Sequence, residues 1–136
     1  PNGTVITPDG KTLICGETLA AQLTAFDVGP DGALSNRRQW ASTAPRIPDG
    51  ICLDAEGAVW IANPLGPDCA RIGAGGAVLD VVETGAFNTF ACMLGGREGK
   101  HLFIMAAPTS DDETVSTQKL GRILVAEVSV PGAGWP

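Results

Sequence analysis

The sequence predicts an all-β protein, a partial β-propeller of three blades built from short antiparallel strands. Three observations predict it. Gly and Pro supply 18 and 10 of the 136 residues and punctuate the chain every ~8–12 positions, the spacing of short antiparallel strands. No long stretch carries clean helical periodicity. The phrase Pro1-Asn2-Gly3 returns as Pro48-Asp49-Gly50, and each copy opens an apolar strand. Both strands reach a second turn seven residues past their first glycine, at Asp9-Gly10 and Glu56-Gly57. Gly10, Gly57 and Gly99 are 47 and 42 residues apart, the length of a four-stranded blade.

The elements follow in order. The first unit places strands near residues 3–7, 12–16, 23–28 and 37–41, with turns at Pro8-Asp9-Gly10 and Pro30-Asp31-Gly32. The second places them near 50–53, 58–62, 70–72 and 78–83, with turns at Glu56-Gly57 and Gly75-Gly76. The third has 90–94, 101–106 and 121–128, with its first turn around Glu98-Gly99. Blade limits fall near 1–45, 46–86 and 87–130 within one half-propeller domain, 1–136. The third unit stops one strand short, and the N-terminus is already used as an inner strand. Three blades do not close a ring, so the sequence predicts either half of a longer protein or a pairing of chains. Residues 108–119, rich in Thr, Ser and Asp, read as a long solvated loop.

Composition narrows the function. The net charge is −6 and no basic run exceeds Arg37-Arg38, which argues against a nucleic-acid partner. No apolar run approaches the ~18 residues of a membrane span, so neither nucleic acid nor membrane is expected. The chain opens on Pro1 rather than Met, so the lack of a signal-like N-terminus decides nothing about targeting. Cys15, Cys52, Cys69 and Cys92 form no C-x-x-C pair, and three of them sit inside apolar runs. They read as buried hydrophobes in a reduced, cytoplasmic protein.

The repeat sets Asn2 and Asp49 at equivalent points of neighbouring units. An amide and a carboxylate oxygen there suit one hard cation, calcium or, with waters, magnesium or manganese. Asn-Gly and Asp-Gly are also ordinary turn pairs, the use expected of Asp9, Asp31 and Glu56. In the third unit, matching Phe90-Ala91-Cys92 with Gly50-Ile51-Cys52 puts Thr89 at the position of Asp49, with Asn88 and Thr89 at the channel mouth. Glu17, at the end of the second strand, is either channel-facing or solvated. His101, the one histidine, lacks a neighbouring acid or nucleophile and reads as strand-end packing. Ser42, Ser110 and Ser116 lie in no G-x-S-x-G context. Trp40, Trp60 and Trp135 read as inter-blade packing, with Trp135 also suited to an interface. Gly73 to Gly76 is a hairpin turn without the Lys of a phosphate loop.

Several of these phrases resemble one family. They are Pro1-Asn2-Gly3, Leu23 to Val28, Leu34 to Arg38, the run from Pro48-Asp49-Gly50 to Trp60, and Cys92 to Gly96. Together they are similar to the C-terminal half of the regucalcin/gluconolactonase family of six-bladed propellers. The resemblance implies half of a six-bladed ring, with a divalent cation (calcium, zinc, manganese or magnesium) in the channel. Asn2 and Asp49 match two of that family's three ligands, and Asp49 its favoured general base. The third ligand, a first-blade Glu, has no counterpart in this sequence. The implied activity is metal-dependent hydrolysis of a small sugar lactone or related ester, water activated by the cation being the nucleophile. The alternative is a non-catalytic fragment or binding scaffold. A homodimer completing the ring about a twofold axis would reconcile the two.

Overall fold

Eleven strands in three antiparallel sheets build residues 1–134, the part of the chain described by the computed structural model. Trp135, suggested above for an interface, lies outside the described residues. The first sheet is a meander of β1 (Thr4–Ile6), β2 (Thr12–Glu17), β3 (Gln22–Val28) and β4 (Leu34–Ser42). The second joins β5 (Ile51–Leu53), β6 (Val59–Ala62), β7 (Asp68–Ile72) and β8 (Val78–Glu83). The third pairs β9 (Asn88–Gly95), β10 (His101–Ala107) and β11 (Arg122–Glu127). The protein is thus a partial propeller.

The turns form where the sequence supplies a short acid before a glycine. Gly10, Gly32 and Gly57 have φ of +71°, +81° and +78°, a left-handed backbone that costs glycine nothing. Asp9 Oδ1 accepts from the Lys11 N–H and Asp31 Oδ1 from the Ala33 N–H, both at 3.1 Å. In the second sheet Asp54 does this work instead, accepting from the Glu56 and Ala58 N–H groups at 2.9 and 3.0 Å. Glu56 turns outward and its Oε2 meets Arg71 Nη2 at 2.8 Å.

Burial follows position in the stack. β5, β6 and β7 are buried throughout because a sheet covers each of their faces. β5 and β6 accordingly run apolar without alternation, while β7 also buries Asp68 and Arg71, each in an ion pair. β10 alternates: Leu102, Ile104 and Ala106 are buried, while Phe103 and Met105 on the opposite face are half-exposed. Val5, Ile14, Leu23 and Ala25 of the first sheet pack against Ile51, Val59 and Ile61 of the second. Trp60, Cys69 and Ala62 pack against Cys92, Leu102 and Ile104 of the third. Trp40 is half-buried against the first of these cores.

Two features depart from expectation. Residues 108–119 contain a short helix, α1 (Asp112–Thr117), nucleated by Asp111, whose carboxylate accepts from the Thr114 N–H at 2.8 Å. The Asp at the N-cap and the acids in the first turn stabilise this turn without any apolar face. The segment after β11 also returns across the seam between the second and third sheets. Gly132 N donates to Gly99 O, Ala133 N donates to Leu53 O, and Pro131 O accepts from Ala55 N.

Candidate metal centre at the blade tips

The inner ends of the first two sheets are built alike. Asn2 N donates to Gly16 O and Gly16 N to Gly3 O, at 2.8 Å each. Asp49 N donates to Ala62 O and Ala62 N to Gly50 O, at 3.0 and 2.9 Å. The same backbone exchange therefore carries Asn2 in one blade and Asp49 in the next. A further bond, Gly3 N to Asp49 O at 3.0 Å, ties the two tips together.

Gly3 and Gly50 serve this junction and not a left-handed turn. Neither has a positive φ. A Cβ on Gly3 would lie 2.5 Å from Ile51 N and 2.6 Å from Asp49 O; one on Gly50 would lie 2.7 Å from Ala91 Cα. Glycine lets each tip rest on the backbone of the next blade.

The third tip continues the pattern one residue away from its expected register. Gly50 N donates to Phe90 O at 3.0 Å, just as Gly3 N donates to Asp49 O. Phe90, not Thr89, therefore stands at the station of Asp49. The shift reflects a bulge in the β9–β10 pairing, where Met105 faces Ala91 but Ala106 faces Thr89. Thr89 is fully buried, donating to Asp68 O at 2.6 Å and accepting from Asn63 N at 2.7 Å. It does not line a channel mouth, and Phe90 brings no oxygen in its side chain.

Electrostatics set Asp49 apart. Glu17 is bound by Arg37 at 2.7 Å, Asp27 by Arg38 at 2.7 Å, Asp68 by Arg46 at 2.6 Å and Asp54 by Arg71 at 2.6 Å. Half-buried Asp49 has no cationic side chain as partner among the described residues. Burial pushes its carboxyl above the ordinary value, and the nearby Asn2 amide opposes that push only in part. Asn2 is exposed, and its Nδ2 donates to Thr18 Oγ1 at 3.3 Å. Thr18 escaped the sequence reading, its one signal being its place directly after the end of β2.

The other candidates fall away from this point. Glu17 is held below the usual carboxylate range by Arg37 and then by Gln22, a surface ion-pair arrangement. His101 is exposed, with its ring 6.4 Å from that of Phe103. Among the described residues no three His, Cys, Asp or Glu side chains gather to hold a metal. The tips offer one carboxylate and one amide, a hard-oxygen pair. These fit a hard cation as two of its roughly six to eight ligands; the remainder would come from water or from groups beyond these three blades.

Fold and tips together define a segment of a multi-bladed propeller. The family model described as SMP-30/Gluconolactonase/LRE-like region matches residues 1–108, and the chain belongs to this family. Regucalcin of Oryctolagus cuniculus is 30% identical over 122 residues, covering 86% of this chain and 41% of that protein. Regucalcin of Danio rerio is 34% identical over 110 residues, 78% of this chain and 37% of that protein. Among solved structures, a gluconolactonase from Xanthomonas campestris shares 31% identity with a TM-score of 0.65, over 79% of this chain and 35% of its own. A luciferin-regenerating enzyme superposes with a TM-score of 0.81 at 23% identity, covering 96% of this chain and 46% of its own. That last likeness bears on the fold alone. The chain spans about two-fifths of the length of the curated relatives it matches.

Proposed function

We propose that the chain forms the Asn2- and Asp49-bearing half of a metal-dependent hydrolase for a small lactone, sugar lactones included, or a related ester. The observation that carries this reading is Asp49, a desolvated carboxylate left without an arginine in a chain that pairs its other part-buried acids. A half-buried anion without a counter-charge is costly unless a cation meets it.

Asn2 and Asp49 would hold the ion, one through its amide oxygen and one through its carboxylate. Once bound, a divalent cation polarises a lactone carbonyl and eases deprotonation of water. Asp49 would orient the attacking water and accept its proton. Asn2 would add its amide oxygen to the ion, with Thr18 accepting from the amide nitrogen at 3.3 Å. The activity requires the ring to be completed, by further blades or by a second copy of this chain.

A second reading, a binding scaffold without catalysis, is favoured by one observation: among the described residues no three His, Cys, Asp or Glu side chains gather to hold a metal. Gluconolactone hydrolysis with added calcium, manganese or zinc separates the two. Turnover that is lost in Asp49→Ala and abolished by chelation supports the hydrolase. Absence of both turnover and bound cation at millimolar metal supports the scaffold.

A further inference from the structure

Three of the four free cysteines meet at the seam between the second and third sheets. Cys52 on β5, Cys69 on β7 and Cys92 on β9 are all buried there beside Trp60, Leu102 and Ile104. Cys52 Sγ lies 3.9 Å from Cys92 Sγ. A disulfide needs sulfurs at about 2.05 Å, so side-chain rotations must close only about 2 Å. Cys92 Sγ is otherwise engaged by weak contacts, 3.7 Å to Gly50 O and 3.6 Å to Trp60 O. The bond from Gly50 N to Phe90 O already holds the two strands together at their tips.

Cys52 is the member of the pair that borders a cavity. A cavity of about 100 Å³ lies between β1, β5 and β9, lined by Val5, Ile51, Leu53, Met93 and Cys52 among others. It exceeds the ~10–15 Å³ that one water needs on this measure, so a small peroxide fits. Cys69 and Cys92 do not line it. Cys92 is also kept protonated, its thiol pushed well up by Cys52, then by Cys69 and burial. Access assigns the first attack to Cys52 and the second to Cys92.

We propose that Cys52 and Cys92 form a peroxide-oxidised dithiol whose disulfide ties the second blade to the third. The Cys52 sulfur attacks one oxygen of hydrogen peroxide; the O–O bond breaks, leaving a sulfenic acid on Cys52 and releasing water. The Cys92 sulfur then attacks the sulfenic sulfur. The S–S bond forms, the S–O bond breaks, and the hydroxyl leaves as water with the thiol proton. Two electrons pass from the two thiols to one peroxide, and a dithiol reductant reverses the change. The inference is independent of the hydrolase reading, since neither thiol belongs to the cation tips.

The test treats the folded, full 136-residue chain with hydrogen peroxide, blocks remaining thiols by alkylation and maps linked peptides by mass spectrometry. The expected result is loss of two hydrogens, reversed by dithiothreitol, with Cys52 joined to Cys92 in the wild type and in Cys69→Ser. Cys92→Ser should show no such link, and the oxidised wild type should melt at a higher temperature than the reduced form. Full alkylation of Cys52 and Cys92 after peroxide would overturn the proposal, as would a link joining Cys69 to Cys92. If Cys92→Ser does not fold, the wild-type map decides alone.

Discussion

At the scale of single residues, Asp49 and Gly50 carry opposite lessons from the same tripeptide. Ionised Asp49 opposes folding in the absence of a cation, because burial raises its folded-state pKa. Its favourable contribution is therefore complete below the ordinary carboxylate pKa and is lost as pH rises through the higher folded value. Metal-free Asp49→Asn should accordingly melt at or above the wild-type temperature at pH 7, with the difference vanishing in acid; a thermal series over pH measures this. Gly50 tolerates no such change, since a new Cβ would meet Ala91 Cα at 2.7 Å, an immovable backbone atom. Gly50→Ala should cost about 1–3 kcal/mol in urea denaturation. Sequence alone made Asn2 and Asp49 equivalent, because the repeat shows in the order of residues. It cast their glycines as turn residues in the alternative reading, because a close approach to another blade leaves no local trace.

At the scale of elements, the middle sheet owes its burial to having neighbours on both sides, and that burial extends to charge. Arg71 reaches Asp54 at 2.6 Å and Glu56 at 2.8 Å, and Asp54 is fully buried. Arg71→Met should destabilise the protein by about 3–5 kcal/mol, read by chemical denaturation, because it strands a buried carboxylate. Strands and hairpins were legible in advance because their signals are local: β-branched runs, acid-glycine turns, and spacing between glycines. What was not legible is non-local or rests on one residue. The β9 bulge moved Phe90 into the station expected for Thr89, a one-residue slip that composition cannot reveal. Helix α1 rests on a single capping acid, Asp111. The return of Pro131 to Ala133 across the seam depends on partners over thirty residues away, Gly99 and Leu53.

At the scale of the whole molecule, each terminal sheet presents a face that no blade covers. Met93, Phe103 and Val125 stand in register across β9, β10 and β11, with Ala91, Met105 and Ile123 beside them. Ile123 and Val125 are 70% and 55% exposed, and Ile6 on the opposite end of the stack is 53% exposed. If a second copy completes the ring, light scattering should return twice the 13.9 kDa chain mass; a clean monomer rules that assembly out. The candidate site was legible only as a pair of oxygens, because its remaining ligands have no counterpart in this sequence. On the proposed reading, Asn2 and Asp49 share one divalent ion across adjacent blade tips. Calorimetric titration of the metal-stripped chain with calcium, and separately with manganese, tests it most directly. The wild type should show a saturable site, weakened at least tenfold in Asn2→Ala and abolished in Asp49→Asn. Equal binding by the wild type and Asp49→Asn, or none by the wild type at millimolar metal, would contradict it.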